Sequence, residues 1–258
     1  ASPHGQVSLT DPDSRSMASQ GKGTGIVGYN VQTAVETKHH LIVTHEVTNV
    51  GSDRAQLVKM AEAAREALGT TELTAIADRG YYSSEQIKGC EDAGIAPVVP
   101  KPITSNSSAG GRYEKWDFTY LPKRDAYRCP AGEYAIHRFA SEMNGLMIHK
   151  YWSSACPRCA LQSKCTTSKY RRLTRWEHEA VLERMQARLE RDPTLMNIRR
   201  RTVEHTFGTI KAWMGATHFL CRRLPRVSAE MSLHVLAYNM KRVMKIMGTG
   251  EMIEALRA

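Results

Sequence analysis

Between residues 29 and 100 two kinds of apolar pattern alternate, and their order constrains the fold more than any other feature of this sequence. Residues 29–36 and 41–48 are rich in β-branched side chains and flank Thr-Lys-His-His, which predicts an antiparallel hairpin with a four-residue loop. Asp53 stands where a helix N-cap belongs. Leu57, Met60, Ala61, Ala64 and Leu68 follow on one helical face at spacings of three and four. LTAIAD, residues 73–78, has the length and apolar character of a buried strand. Ser83 and Gln86 have capping-box spacing and open a second helix that ends near Gly94, and IAPVVP closes the run as another strand. Strand, strand, helix, strand, helix, strand is an α/β order.

The rhythm stops at about residue 101. Residues 101–170 are irregular and aromatic, with Tyr113, Trp116, Phe118, Tyr120, Tyr127 and Tyr134, and read as a separate subdomain of short strands. From about Leu173 the pattern is helical. Asp192-Pro193 supplies an N-cap and a proline at the first helical position, for a helix reaching Gly215. A last helix covers 228–247, and 248–258 is a tail. Residues 1–28 read as an arm or loop. Gly23, Gly25 and Gly28 match a dinucleotide fingerprint by letter, but that fingerprint must open a helix, and here it runs into a strand. The opening ASPHGQVSLTDPDSRS looks like the middle of a chain.

The 258 residues suffice for one domain with a substantial insertion. The net charge of +10 and the pI near 9.4 suit a polyanionic partner, most often nucleic acid. No apolar run approaches the roughly 18 residues of a membrane span, and no secretory signal opens the chain, so a cytoplasmic location is expected.

Four of the six cysteines, Cys129, Cys156, Cys159 and Cys165, are spaced C-x26-C-x2-C-x5-C. Four thiolates suit a closed structural Zn²⁺ site, the alternatives being buried free thiols or, from ligand type alone, an iron–sulfur cluster. Cys90 and Cys221 read as small apolar residues.

Two constellations could carry chemistry. Asp78, in ADRGYYSS, ends a strand, where ligand sites gather in open α/β sheets; it could equally cap a turn or pair with Arg79. In RRRTVEHTFGTIK, residues 199–211, an α-helix would place Val203, Phe207, Ile210 and Met214 on an apolar stripe. Arg200, Glu204 and Lys211 would share a polar one at its edge. Glu204 is then either a metal ligand flanked by phosphate-binding cations or the partner of Arg200 in an intrahelical ion pair. His205 reads as packing or DNA contact.

Asp78 in DRGYYS and Glu204 in R-x3-E-x6-K resemble the second and third acidic residues of bacterial insertion-sequence DDE transposases. The segments GYNVQTAVETKHHLIVTHEVTN, VEHTFGTIKAWMGATHFL and EMSLHVLAYNMKR are similar too, so the resemblance covers nearly the whole chain. It implies a ribonuclease-H-like mixed sheet with flanking helices over 29–100 and 171–247, interrupted by the cysteine-rich, zinc-binding insertion. It implies metal-dependent DNA cleavage and strand transfer at transposon ends, with Asp78 and Glu204 holding Mg²⁺ or Mn²⁺. Arg199, Arg200, Arg201 and Lys211 would bind phosphates of double-stranded transposon-end and target DNA, and the protein would be a homo-oligomer when synapsed, in bacterial cytoplasm at the nucleoid. The family signature has a tyrosine three residues before the arginine, where this chain has Asn197. The first catalytic aspartate is expected upstream on a missing first strand, since Asp11 and Asp13 flank Pro12 in a loop, a poor setting for a preorganised ligand. The alternative is a catalytically incomplete DNA-binding or assembly module derived from a transposase. Basic clusters at Lys169, Arg171, Arg172 and Arg175, at 199–201, and at Arg222, Arg223 and Arg226 would form a phosphate track.

Overall fold

The computed structural model describes residues 8–17, 26–102 and 110–257. The fold is mixed α/β, compatible with a ribonuclease-H-like transposase. It divides into two compact units, one of Ala1–Lys101 with Val181–Ala258, the other Pro102–Ala180.

In the first unit a short pair, β1 (Arg15–Met17) and β2 (Ile26–Gly28), is antiparallel, so part of the expected arm is strand. Gly23 and Gly25 lie outside the described residues. The hairpin forms from β3 (Asn30–Val35) and β4 (Ile42–Thr48), in register from Asn30↔Thr48 to Val35↔Ile42. Glu36 stabilises its turn by accepting the backbone N–H groups of Lys38 and His39. A 3₁₀ segment, Asp53–Ala55, then leads to α1 (Leu57–Leu68). Asp53 is not the cap of that segment: Ser52 takes the position and accepts the Arg54 N–H. Leu57, Met60, Ala61 and Ala64 are buried as the spacing predicts, while Leu68 at the helix end is exposed.

Strand β5 (Leu73–Ile76) is half-buried rather than buried, and pairs in parallel with β6 (Ile95–Val98) through the crossover helix α2 (Ser84–Asp92). The Ser83–Gln86 capping box does not form. Gln86 instead accepts the backbone N–H of Val58 and so ties α2 to α1, a tertiary use of a side chain that local spacing assigns to its own helix. Ile87, Cys90, Ile95 and Val99 fill the core beneath, with Met185 from α3 (Glu179–Arg191). Burial pushes the Cys90 thiol up to about 11, consistent with a packing role. Cys221 differs: it is exposed, and its backbone N–H reaches Glu230.

The helical stretch expected from residue 193 begins at Leu195 and is not uniformly α. α4 (Leu195–Arg199) passes into a π-helical turn at Arg200–Glu204, then α5 (His205–Gly208), then a second π turn at Thr209–Trp213. Asp192 accepts the Thr194 N–H just ahead of it. The buried face is Thr202, Thr206 and Ile210, not the stripe of Val203, Phe207, Ile210 and Met214. Thr202 and Thr206 donate their hydroxyls to the carbonyls of Ile198 and Thr202, which satisfies them inside the core and favours a bent, widened helix. α6 (Leu224–Met247) starts earlier than expected, and the tail contains α7 (Thr249–Arg257). Val227, Met231, Val235 and Tyr238 pack with Ile42 and Val47 in a second core.

The second unit is a five-stranded antiparallel meander, β7 (Thr119–Leu121), β8 (Ala126–Arg128), β9 (Tyr134–Met143), β10 (Leu146–Trp152) and β11 (Leu173–Trp176), in that spatial order. Helix was expected from Leu173. The chain is strand to Trp176 because Leu173, Arg175 and Trp176 are buried against the sheet. Phe118, Tyr127 and Tyr151 form its aromatic core, whereas Trp116 is exposed.

Candidate active site

Asp78 follows β5 and caps the 3₁₀ turn Arg79–Tyr81, its Oδ1 accepting the Gly80 N–H at 2.8 Å. Its Oδ2 accepts from Arg199 Nη2 at 2.8 Å, across 121 residues of sequence. The same guanidinium lies 3.6 Å from Glu204 Oε1 through Nη1. Arg199, mostly buried, thus binds both acidic residues that the sequence singles out. Arg200 is the weaker neighbour: its Nε is 3.6 Å from Glu204 Oε2, and its side chain is 73% exposed. The expected intrahelical Arg200–Glu204 pair therefore exists at the edge of contact, and Arg199, which helical spacing did not favour, takes the central place. A π turn at Arg200–Glu204 resets the side-chain directions that an α-helix would impose.

Lys211 is brought to neither carboxylate. Its ammonium lies 5.7 Å from the Phe207 ring centroid and lines a cleft with Arg15, His218 and Arg222. His205 stacks edge-on with His40 at 5.8 Å. Burial holds His40 below the usual histidine range, and the charges of Arg242 and His205 add to the effect.

Asp11 and Asp13 have structural work near α6. Asp11 accepts the Tyr29 hydroxyl at 2.8 Å and the Arg223 N–H at 3.1 Å, and Asp13 accepts the Leu224 N–H at 3.0 Å. They fasten the start of α6 to the chain before β1.

One acidic residue was read only as a cap. Asp53 accepts amide protons from Asn30 and Gln32, both at 2.7 Å and both on Oδ1. A Cβ placed on Gly80 would lie 3.0 Å from Asp78 Oδ1 and 3.3 Å from Asp53 Oδ2. Gly80 therefore leaves an edge toward which both carboxylates turn. The usable signal in the sequence is Asn30-x-Gln32 on one strand face.

The model of the transposase DDE domain family matches residues 3–240. The chain belongs to that family. No curated protein and no solved structure matches it. As a transposase DDE domain the chain is of a class associated with DNA cleavage and transfer, which works with divalent metal ions. Among the described residues no helix is long and apolar enough to cross a membrane.

In the second unit of this DDE domain Cys129, Cys156, Cys159 and Cys165 line one cavity, together with Arg171. Burial raises the Cys165 thiol, Arg171 works against this, and the other three thiols raise it further. The sulfurs share a wall without converging: among the described residues no group of three or more His, Cys, Asp or Glu side chains is arranged to hold a metal ion. Nor is the Lys169–Arg175 run a uniform basic surface. Arg175 is buried, 3.7 Å over the Tyr120 ring, and Arg171 and Arg172 lie over Phe118 and Trp152.

Proposed function

We propose that this chain is the catalytic part of a bacterial insertion-sequence DDE transposase, cleaving DNA at transposon ends and joining it to target. The observation that carries the reading is the convergence of Asp78 and Glu204 on the Arg199 guanidinium. Two carboxylates separated so far in sequence have no helix-stabilising reason to meet one cation. A guanidinium between them is a stand-in for a positive charge, and oxygen donors suit hard Mg²⁺ or Mn²⁺. The missing side chain at Gly80 supports the same fit by leaving room beside Asp78. Asp78 and Glu204 would hold the metal, which when bound supplies Lewis-acid stabilisation to the attacking and leaving oxygens of an in-line displacement. Arg199, Arg200 and Arg201 would orient phosphates, arginine doing so in bidentate fashion. Lys211 would do the same from its cleft.

A ribonuclease-H-like sheet has its first strand between the hairpin and the parallel pair. The separation of β3–β4 from β5–β6 into two two-stranded sheets supports a first strand, with the first aspartate, supplied from upstream. The cysteine set would hold a structural Zn²⁺: four thiols around one cavity in a small unit are the donor chemistry zinc prefers. Double-stranded DNA, a homo-oligomeric synaptic state and a nucleoid location complete the reading. The alternative, an incomplete assembly module, draws on the same absence of a third signature aspartate.

A nicking assay on transposon-end DNA with Mn²⁺ tests it. Asp78→Asn and Glu204→Gln should each lower the rate by at least about a hundredfold, equivalent to roughly 3 kcal/mol of barrier, with unchanged melting. Nicking that survives both substitutions overturns the assignment, and DNA binding without nicking in the wild type favours the assembly module.

A further inference from the structure

We propose that Asp53 is an additional metal-facing carboxylate of the Asp78–Glu204 site, distinct from the acidic residues of the family signature; the inference rests on the reading of Asp78 and Glu204 as metal ligands. Asp53 opens the 3₁₀ segment between β4 and α1, and nothing in that local role requires its carboxylate to face Asp78. Yet Asp53 Oδ2 and Asp78 Oδ1 both lie close to the one point where a Gly80 Cβ would stand, at 3.3 and 3.0 Å. Two such oxygens are near enough to share one divalent cation directly or through its water. Any residue but glycine at position 80 would push into that space.

The direction of Asp53 is enforced. Gln32 is only 1% exposed, and its amide donates to Asp53 Oδ1 at 2.7 Å and to Asn30 Oδ1 at 3.0 Å. Its own Oε1 accepts the Tyr81 hydroxyl. Asn30 donates to the same Asp53 oxygen at 2.7 Å and to the Val50 carbonyl. Both amides therefore load Oδ1 and leave Oδ2 on the Gly80 side. A connected buried network of this kind fixes one rotamer.

The charges agree with the geometry. Burial raises the Tyr81 phenol well above its usual range, and Asp53 and Asp78 raise it further. Arg199 neutralises the Oδ2 side of Asp78, while among the described residues no lysine or arginine is paired with Asp53. Like charges turned toward one another cost energy unless a cation joins them. A residue that merely pinned the loop to the hairpin could do so with both oxygens turned to amides.

Asp53→Asn separates these roles, because an asparagine still offers Oδ1 to Asn30 and Gln32 but removes the charge. The experiment is Mn²⁺ titration of the full chain without DNA, by calorimetry and by the Mn²⁺ paramagnetic resonance signal, for wild type, Asp53→Asn and Asp78→Asn, with melting curves for each. Asp53→Asn should weaken Mn²⁺ binding by about tenfold or more while melting within about 2 °C of wild type. Full Mn²⁺ affinity in Asp53→Asn, with loss in Asp78→Asn, overturns the role of Asp53 and leaves the Asp78–Glu204 reading standing. Unchanged affinity in both variants overturns the two together.

Discussion

The two units differ in how far along the chain their parts are gathered. In the 102–180 unit each strand pairs with a sequence neighbour except β11, and the network at Asp125 spans 26 residues at most, from Tyr151. In the other unit Arg199 meets Asp78 across 121 residues, and the Asn239 side chain bonds the Ile42 backbone across 197. Short-range pairing forms early and can persist alone, whereas long-range closure must be complete before its contacts exist. The acidic site therefore depends on the integrity of its whole unit, and the cysteine-bearing meander should withstand damage to it. The difference also assigns roles: one unit is a scaffold for distant functional groups, the other a locally built module.

The largest effect that can sharpen this contrast is removal of zinc. Chelation, or the double change Cys156→Ser with Cys159→Ser, should cost the meander several kcal/mol, since structural zinc binding is coupled to folding. Hydrogen exchange should rise across 119–176 and stay low across 57–98. Equal loss of protection in both segments breaks the claim of separable units. No zinc in the purified protein removes the ion from the account.

Next in size is the core under the acidic site. Ile87 is fully buried against Leu57 and Ile95, so Ile87→Ala should cost about 2–5 kcal/mol. The exchange pattern should be the reverse of that for the cysteine variant. A loss shared with the meander would show one cooperative unit.

These expectations draw on features that were unequally legible in the sequence. The hairpin, α1, α2 and the β5–β6 pair were readable because each carries its own periodicity and turn chemistry. The strand at Leu173–Trp176 was not, since four residues in a basic, aromatic run have no period to distinguish them. Nor were the π turns, which arise from how Thr202 and Thr206 bond back along a buried face. That is why Arg200 looked central and Arg199 took the position. Asp53 was visible as a residue but not as a neighbour of Asp78, because that proximity is made only by tertiary closure through Asn30, Gln32 and Gly80.

A smaller effect concerns the meander alone. Asp125 accepts hydroxyls from Tyr151 at 2.7 Å and Tyr120 at 2.8 Å. Burial tends to raise its carboxyl, but the bonds from Tyr151 and Tyr120 outweigh that, with help from His137 and His149, and its value falls below the usual range. A folded value below the unfolded one, about 3.9, contributes stability that is present above that pH and is lost as pH falls through the folded value. Asp125 is exposed, so the contribution is about 1 kcal/mol after solvent screening. Asp125→Asn tolerates the left-handed backbone at φ 45. It should lower melting of the meander at pH 6 and abolish the difference by about pH 2. A difference that persists there would mean that shape, not charge, is what Asp125 supplies.

The smallest expected stability change, and the finest test of the contrast, is at Arg200. Its pair with Glu204 is long and its side chain largely exposed, so Arg200→Ala should alter melting by no more than about 0.5 kcal/mol. Arg199→Ala should cost somewhat more, roughly 1 kcal/mol, because it is mostly buried and leaves two carboxylates without their shared cation. On DNA the difference should be of another kind. An exposed arginine that contacts a phosphate weakens binding and lowers the salt slope by about 1. Arg199, engaged with Asp78, should leave that slope unchanged in the metal-free protein, and its removal should reduce repulsion toward Mn²⁺ and tighten Mn²⁺ binding. If instead Arg199→Ala lowers the salt slope and Arg200→Ala does not, Arg199 is the phosphate ligand. The carboxylates would then hand it to DNA when metal arrives, and the long-range unit would be the one that rearranges on binding.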